Sequence, residues 1–518
     1  MAGSVPRPAP VSVQSRTPFF LQLLFICSLA ALLPAIHAFY RDDLATTRIF
    51  VFAMLLGLAL ALILRLATAA NRSQINVRSQ LFTLLLAFGL LPILLAVPFH
   101  VAAGERSFLD SWFEMVSSFT TTGATVFEGQ GRLSPTLHLW RALVGWLGGL
   151  LIWITALAIF APLNLGGFEV RFGSGLNEPV RGAGRFIRAI DPVERLERFA
   201  LRLAPIYIGL TFLLTLGLLL AGEVPLVAFC HAMSTLSTSG ISPIAGTPYG
   251  ASGMVGEMLM AGFMIFALSH LAFGRGLLAE DTGRLRHDAE LRLALILVCL
   301  VTAALFLRHF IGGTQADASG LTSPIIGGAQ ALWGAFFTVL SFLTTTGFES
   351  YHWLGAADWS GLRTPGMVLM GLALIGGGVA TTAGGVKLLR VYALSRHGQR
   401  ELERLIHPHS IGGAGSQGRR VRREGARIAW VFFMLFALSI VIVMGLLTLT
   451  GLQFETATIL AVAALSTTGP LADVAGQWPI AYSGMPAEGK VILGLAMILG
   501  RLEALALLAL FNPELWRS

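Results

Sequence analysis

Long apolar stretches alternate with short polar connections along the whole chain. Ten of them approach or exceed about 20 residues, the length that a helix needs to cross the hydrocarbon core of a bilayer. They lie at residues 19–39, 49–69, 80–100, 138–162, 200–222, 254–278, 290–311, 366–395, 428–450 and 489–511. This alternation predicts an all-α polytopic membrane protein with about ten transmembrane spans.

Four shorter apolar stretches lie between pairs of these spans. A segment of ten or so residues cannot cross a bilayer, and irregular backbone at membrane depth is tolerated only where protein or water surrounds it. The short stretches are therefore predicted to be re-entrant, entering as half-helices and returning as irregular backbone. They lie at residues 110–120, 225–237, 330–343 and 455–466.

A four-residue pattern ends each short stretch: a hydroxyl residue, Thr, a second hydroxyl residue and Gly. Its copies are Thr120-Thr121-Thr122-Gly123, Ser237-Thr238-Ser239-Gly240, Thr344-Thr345-Thr346-Gly347 and Ser466-Thr467-Thr468-Gly469. The glycines stand 117, 107 and 122 residues apart, and the pattern occurs nowhere else in the chain. This spacing predicts four membrane–pore–membrane repeats with pseudo-fourfold symmetry.

The repeats divide the chain into five parts. Residues 1–78 comprise a tail and an extra transmembrane hairpin, and this part carries no copy of the pattern. The four pore repeats are predicted at residues 79–165, 198–280, 288–396 and 425–512, and the second span of the third repeat is interrupted.

The pattern is suited to a cation filter. A ring of backbone carbonyls can replace the water that a dehydrated cation loses, and glycine permits the backbone dihedrals that turn carbonyls toward an axis. The preceding hydroxyls add ligands or support the loop. The alternative is that these runs are ordinary turns, which leaves their spacing unexplained. The candidate filter residues are Thr121, Thr122, Gly123, Thr238, Ser239, Gly240, Thr345, Thr346, Gly347, Thr467, Thr468 and Gly469.

The stretch 366–395 has a glycine-rich centre. Each Gly costs about 1 kcal/mol relative to Ala in a helix interior, so a continuous helix is disfavoured here. We expect two helices joined by a flexible intramembrane loop, and we assign the gate to that loop. The gate candidates within it are Gly376, Gly377, Gly378, Thr381, Thr382, Gly384 and Gly385.

Among the basic residues within predicted spans, Lys387 follows the glycine-rich centre of 366–395 and Arg501 lies inside the last span. A Lys or Arg at the bilayer centre costs about 2.5–3.5 kcal/mol on insertion scales and normally faces a cavity or a partner. Arg501 is interpreted as a barrier or gate latch in the ion path, and the alternative is a structural Arg501–Glu503 pair or snorkelling. Lys387 is grouped with the gate, although it could equally mark the inner end of a helix.

Three polar residues of the short stretches have less specific interpretations. Glu114 and Glu455 either attract cations to the outer mouth or are solvated in loops or at helix N-termini. His231 is interpreted as a packed histidine rather than a ligand.

Composition and charge narrow the class of protein. The 518 residues are 55% hydrophobic and 12% charged, which excludes an ordinary soluble globule. The net charge of +8 could indicate nucleic-acid binding, but the basic residues cluster in connections that all lie on one side of the membrane in this topology. Metalloprotease, hydrolase and phosphate-binding motifs are absent from the sequence, so we expect neither an enzyme nor a covalent cofactor.

Together these motifs resemble the Trk/Ktr/HKT superfamily of potassium transporters, and most closely its TrkH-type pore subunits. The resemblance extends from about residue 80 to the end of the chain, and the N-terminal hairpin is also similar to that type. Further matching motifs are Gly145-Trp146-Leu147-Gly148-Gly149, Gly384-Gly385-Val386-Lys387 and Gly500-Arg501-Leu502-Glu503. The resemblance implies potassium as the transported ion, the four pattern glycines as filter glycines, the 376–385 loop as the gate and Arg501 as the pore arginine.

The resemblance also implies a homodimer in the lipid of a bacterial inner (plasma) membrane, bearing a cytoplasmic ring of nucleotide-binding regulatory subunits. Ser at the first filter glycine accompanies sodium transport in plant relatives, so four glycines favour potassium. A sodium or mixed pathway is the alternative within this class, a polytopic enzyme or scaffold is the alternative outside it, and channel or symporter behaviour stays open. Two departures are a 380–385 segment poorer in Gly and Ser than in relatives and a 163–200 connection built on Arg.

Overall fold

The computed structural model describes residues 18–68, 77–104, 107–127, 129, 132–163, 165, 167–168, 192–244, 246–269, 288–311, 324–406 and 416–503. Every regular element within those ranges is a helix. By length and composition, eight of the described helices can cross a membrane, and shorter apolar helices lie between them. The prediction of an all-α polytopic membrane protein is confirmed.

The N-terminal hairpin precedes the repeats. Its helices are α1 (Phe19–Ala30), α2 (Leu32–Tyr40) and α3 (Leu44–Thr68). A turn at Ala31 separates α1 from α2, and α3 packs along both. The Asp43 carboxylate accepts from the backbone N–H of Thr46, 3.0 Å away, and so caps the first turn of α3.

The first two repeats each consist of a long helix, a short helix and a second apolar helix. Repeat 1 has α4 (Val77–Ala103), α5 (Phe108–Phe119) and α6 (Pro135–Thr155), and repeat 2 has α7 (Pro192–Leu220), α8 (Pro225–Ser237) and α9 (Gly253–Met264). A π-helical turn at Ala156–Phe160 and a last turn at Ala161–Leu163 extend α6, and a 3₁₀ turn at Ile265–Ala267 extends α9.

The last two repeats keep this order with additional short helices. Repeat 3 has α10 (Ala289–Ile311), α11 (Pro324–Leu343), α12 (Trp353–Ser360), α13 (Gly366–Ile375) and α14 (Leu388–Ile406). Repeat 4 has α15 (Ser416–Leu449), α16 (Phe454–Leu465), α17 (Leu471–Val474) and α18 (Ala487–Leu502).

Three predicted spans are not described as single continuous helices. Stretch 366–395 contains two helices, α13 and α14, with the break at the glycines as expected. The described part of stretch 254–278 is helical to Ala267, and that of stretch 489–511 is helical to Leu502, after which Glu503 adopts a φ of 59°. Residues 270–278 and 504–511 lie outside the described part. Conversely, α11 is 20 residues long, longer than the 330–343 segment predicted.

The repeats close into a ring. The short helix of each repeat (α5, α8, α11 and α16) packs between the first and second apolar helices of its own repeat. The second helix of each repeat also packs against the short helix of the next: α6 against α8, α9 against α11, α13 against α16, and α18 against α5. The last contact joins repeat 4 to repeat 1, so the ends of all four short helices surround a common axis.

Glycines in α6 and α18 allow close approach to the ends of the short helices. A Cβ on Gly148 would overlap the carbonyl group of Phe119, and a Cβ on Gly149 would lie 2.8 Å from the Ser237 Cβ. Gly500 of α18 lies equally close to the backbone of Leu465, at the end of α16. Small residues at such crossings are the usual basis of tight helix packing in membranes.

Replacing Gly148 with alanine should destabilise the protein by about 1–3 kcal/mol, because the new methyl group must displace the end of α5. Thermal unfolding of the purified protein in detergent measures the effect. The matched control is Gly89→Ala in α4, where an added Cβ meets no atom within 4 Å. Equal melting temperatures for the two variants would contradict the close packing of α6 on α5.

Candidate ion filter and intramembrane gate

The four copies of the pattern meet at the centre of the ring. Gly123 lies against the backbone of Ser239, and Gly240 lies against the carbonyl of Thr346. A Cβ built on Gly347 would be 2.9 Å from Pro470, and one on Gly469 would be 2.6 Å from the Cα of Ala124. Each segment therefore touches the next, and the fourth returns to the first. The structure brings together all twelve residues predicted to form the filter.

The first and third residues of the pattern hydrogen-bond to each other, which explains why both carry a hydroxyl group. The oxygen–oxygen distances are 2.8 Å for Thr120–Thr122, 3.0 Å for Ser237–Ser239, 2.9 Å for Thr344–Thr346 and 3.3 Å for Ser466–Thr468. All eight residues are buried. These hydroxyls thus support the loops, which was one of the two roles considered from the sequence.

The middle threonine has the same unusual backbone conformation in every copy. The φ angles are 56° at Thr121, 52° at Thr238, 56° at Thr345 and 54° at Thr467. A β-branched residue in this left-handed region is strained, and such strain persists only where the surrounding structure imposes it. Four repetitions of one strained conformation indicate that a specific arrangement of the backbone is required here.

The fourth segment departs from the symmetry of the other three. Gly123, Gly240 and Gly347 have positive φ angles of 78°, 64° and 83°, whereas Gly469 is not among the positive-φ residues. The Gly469 N–H donates instead to the Thr122 carbonyl, 2.6 Å away, and Pro470 leads directly into α17. The four glycines are equivalent in the repeated pattern, but only the fourth is followed by a proline.

A side chain nine residues before the glycine supports the segment that follows the filter in three repeats. Glu114 accepts from the Val126 N–H at 3.1 Å, and Thr338 accepts from the Ser350 N–H at 3.1 Å. His231 hydrogen-bonds the Ser242 hydroxyl at 2.9 Å. The equivalent residue in the fourth repeat, Leu460, has no polar group. There the Tyr482 hydroxyl donates to the Gly469 carbonyl at 2.9 Å instead.

These contacts describe the surroundings of two residues of the short stretches. Glu114 is buried and forms an ion pair with Arg141 at 2.5 Å, so both interpretations of it are wrong: its carboxylate is neither available to attract cations nor solvated. His231 is buried against Phe348 with ring centroids 5.4 Å apart, as expected for a packed histidine.

The glycine-rich loop between α13 and α14 lies directly against the filter. The Gly384 N–H donates to the Thr345 hydroxyl at 2.7 Å, and the Thr382 hydroxyl donates to the Leu236 carbonyl at 3.0 Å. Gly384 is also packed against the backbone of Ser466. The loop therefore contacts the ends of the second, third and fourth short helices. Its predicted glycines and threonines are all buried or half-buried.

Arg501 holds the loop from the other side. Its Nη1 donates to the Thr382 carbonyl at 2.6 Å, while its Nε and Nη2 are buried without a hydrogen-bond partner. The proposed Arg501–Glu503 pair is wrong: Glu503 instead forms an ion pair with Arg390 at 2.7 Å. The positive φ of Glu503 ends the helix, so its side chain no longer follows the helical direction of Arg501.

Two basic residues complete this cluster. Lys387 has a φ of 83° and donates a hydrogen bond to the Ala383 carbonyl, so it contacts the glycine-rich loop. Arg390 was not predicted as a gate residue, although it lies within the predicted span 366–395, because no motif of the sequence includes it. It is fully buried, and its guanidinium lies 3.6 Å from the centre of the Phe432 ring. A cavity of only about 20 Å³ lies beside the loop, lined among others by Gly384, Lys387 and Arg501. That space holds about one water molecule.

An acidic residue lies just beyond the third filter segment. Glu349 is half-buried two residues after Gly347, and its backbone carbonyl accepts from the Thr247 hydroxyl. Burial and the nearby Asp473 carboxylate together raise the pKa of Glu349 to about 7. Because the raised pKa belongs to an acid, the group is neutral below about pH 7 and anionic above it.

Ion uptake at subsaturating concentration should therefore fall about two- to fivefold as the outer pH decreases from about 8 to about 6, the size expected for one partly screened charge. Glu349→Gln should show the low rate throughout and lose this part of the pH dependence. Glu488→Gln is the matched control, because Glu488 is also acidic but exposed in the first turn of α18. A pH profile of uptake in Glu349→Gln that equals the wild-type profile would contradict the role of the Glu349 charge in attracting cations.

Comparison with known proteins gives consistent matches over nearly the whole chain. A family model described as TrkH, cation transport protein, matches residues 210–518. The Trk system potassium uptake protein TrkH of Vibrio parahaemolyticus is 30% identical over 506 residues, covering 96% of this chain and 98% of the relative. The TrkH protein of Escherichia coli K12 is 28% identical over 505 residues, with the same coverage. The crystal structure of the potassium transporter TrkH from Vibrio parahaemolyticus has a TM-score of 0.79 and 26% sequence identity, covering 96% of this chain and 98% of that one.

Proposed function

Because the chain belongs to the TrkH family of cation transport proteins, we propose that it moves potassium ions across the bacterial inner membrane through the ring of four pattern segments. The relatives in Vibrio parahaemolyticus and Escherichia coli are named potassium uptake proteins. Like them, the protein is a transporter and not an enzyme, and potassium is its cargo and not a resident cofactor.

The convergence of the four segments on one axis carries the proposal. Within each segment the first and third hydroxyls bond to one another, and we assign the ion ligands mainly to the backbone carbonyls. Neutral carbonyl dipoles suit a monovalent cation that must bind and leave quickly. The four filter glycines favour potassium over sodium, the alternative within this class.

The loop between α13 and α14 is proposed to be the gate. It lies against three of the four short helices, and the space beside it holds about one water molecule, which supports a loop that closes the pathway. The buried charge of Arg501 opposes a cation in this region. Opening requires the Arg501–Thr382 and Thr345–Gly384 hydrogen bonds to break, after which the loop can leave the axis.

Regulation by cytoplasmic partners is part of the same proposal. Helix α14 begins directly after the gate loop, and the chain from there through the first turns of α15 carries the largest group of arginines in the sequence. A nucleotide-binding regulatory ring that pulls on this segment would act on Lys387 and Arg390 at the start of α14. We also propose a homodimer, by the resemblance to the TrkH type.

Growth of a bacterial strain that lacks its own potassium uptake systems tests the function. Expression of this chain together with a regulatory partner should restore growth in medium of low potassium. If growth is restored only when sodium is added to the medium, the result would support the sodium or mixed pathway. A well-expressed membrane-inserted protein that restores nothing under either condition would contradict the proposal and favour a membrane enzyme or scaffold.

A further inference from the structure

A cavity of about 800 Å³ lies between the N-terminal hairpin and the first two repeats. Helices α1, α3, α6 and α7 supply most of its wall, and Phe119, the last residue of α5, also lines it. Its volume falls within the range of about 300–1,000 Å³ that is usual for small-molecule sites. We propose that this cavity binds one acyl chain of a membrane phospholipid, with the phosphate of that lipid beside Arg65.

The position of the cavity along the helices matches one leaflet of the bilayer. It is lined by the first turns of α1, the last turns of α3 and the first turns of α7, three ends that lie on the basic, inner side of the membrane. The wall on α3 runs from Leu58 to Arg65, a rise of about 10 Å. That length is most of the roughly 15 Å that half of the hydrocarbon core measures.

The chemistry of the wall selects an alkyl chain with a phosphate at one end. Apart from Gln22, Arg65 and Glu197, every lining side chain is apolar. An apolar wall of this kind favours contact with an alkyl chain over contact with water. Gln22 donates to the Glu197 carboxylate at 3.2 Å, whereas no described ion pair occupies the exposed Arg65 guanidinium. Arg65 is therefore free to bind a phosphate in the inner leaflet.

The tail of this chain is a poorer occupant than a lipid. Residues 1–17 contain Pro6, Pro8 and Pro10 together with Arg7 and Arg16, and they offer few large apolar side chains. A bound acyl chain would reach Phe119, which directly precedes the first filter residue, Thr120. The site therefore connects the lipid of the inner leaflet to the helix that carries the first filter segment.

The test measures lipid retained by the full-length protein. The protein is reconstituted into one defined phospholipid, extracted into detergent, and the lipid per chain is counted by mass spectrometry. We expect the wild type to retain one phospholipid. Ala200→Trp, which fills the cavity, should lower retention about tenfold, because the buried alkyl surface is lost. The matched control is Leu213→Trp, on the same helix at a position that is 57% exposed and does not line the cavity.

A second variant separates the phosphate from the chain. Arg65→Gln should lower retention of the phospholipid but leave unchanged the retention of a diacylglycerol, which has the chains without the phosphate. Equal retention of phospholipid by Arg65→Gln and wild type would overturn the phosphate contact.

Three results would overturn the acyl-chain site. One is equal retention by the wild type and Ala200→Trp. Another is retention of the diacylglycerol by neither the wild type nor Arg65→Gln. The third is that Ala200→Trp dissociates a dimer while its lipid content stays constant, which would assign the cavity to a second copy. If Ala200→Trp is not monodisperse, Leu58→Trp on the opposite wall replaces it. Lipid retention requires no ion flux, so this proposal and the transport function fail separately.

Discussion

Replacing Arg501 with alanine should raise ion flux in the absence of any activating partner by about 10- to 100-fold. The Arg501–Thr382 contact is a buried hydrogen bond from a charged group, a class worth about 1.5–3 kcal/mol. Its loss would shift the loop toward open conformations by the corresponding factor and would also remove a positive charge from the pathway. Rubidium efflux from proteoliposomes containing only this chain measures the leak.

The controls distinguish the gate from a general loss of structure. Arg501→Lys retains the charge and should leak less than Arg501→Ala. Arg198→Ala removes an arginine whose side chain is 61% exposed, and its flux should equal that of the wild type. Unchanged or lower flux in well-folded Arg501→Ala would contradict the role of Arg501 as a latch.

Replacing Gly347 with serine should lower the preference for potassium over sodium by about tenfold or more. Gly347 has a φ of 83°, and a Cβ there would lie 2.9 Å from the Pro470 ring. The substitution therefore forces the third segment away from the fourth, which costs about 1–3 kcal/mol and distorts the geometry of the filter. Competition of rubidium uptake by unlabelled potassium and sodium gives the preference directly.

Gly355→Ser in α12 is the matched control. It makes the same chemical change in the same repeat, at an exposed position where an added Cβ meets no atom within 4 Å. The control should retain the wild-type preference. If Gly347→Ser lowered stability but left flux and preference unchanged, the pattern segments would be structural turns, as the enzyme-or-scaffold alternative requires.

The features that repeat along the chain were those most accessible from sequence. The pattern recurs because each copy must form the same hydroxyl pair and the same left-handed backbone conformation at its middle threonine. The residue types are therefore the same in all four copies. The break in 366–395 was accessible for a related reason, since clustered glycines oppose a helix regardless of the surrounding fold. Tertiary context strengthens these local preferences here and does not override them.

Contacts that use different residue types in each repeat could not be predicted. The position nine residues before the filter glycine is Glu114, His231, Thr338 and Leu460 in turn, so no repeated letter marks its common role. The partner of Glu503 could not be predicted because Arg390 is 113 residues away in sequence and belongs to no repeated motif. Such pairs depend on how the four repeats pack around the ring. The periodicity of single helices does not predict that packing.

The asymmetry of the fourth segment has the same origin. Gly469 resembles the other glycines in sequence, but Pro470 lacks an N–H and begins α17, which redirects the chain toward Tyr482. The Gly469 N–H then bonds the Thr122 carbonyl of the first segment. The ring of pattern segments therefore consists of three similar segments and one that also links the ends of the ring.

Rubidium uptake into proteoliposomes, competed with unlabelled potassium or sodium, tests the central claim most directly. The Arg501→Ala variant is used so that a closed gate does not block uptake through the filter. Strong competition by potassium and weak competition by sodium is the result expected if four carbonyl-lined segments form a potassium filter. Equal competition by both ions, or no uptake by a well-folded Arg501→Ala protein, would contradict that account.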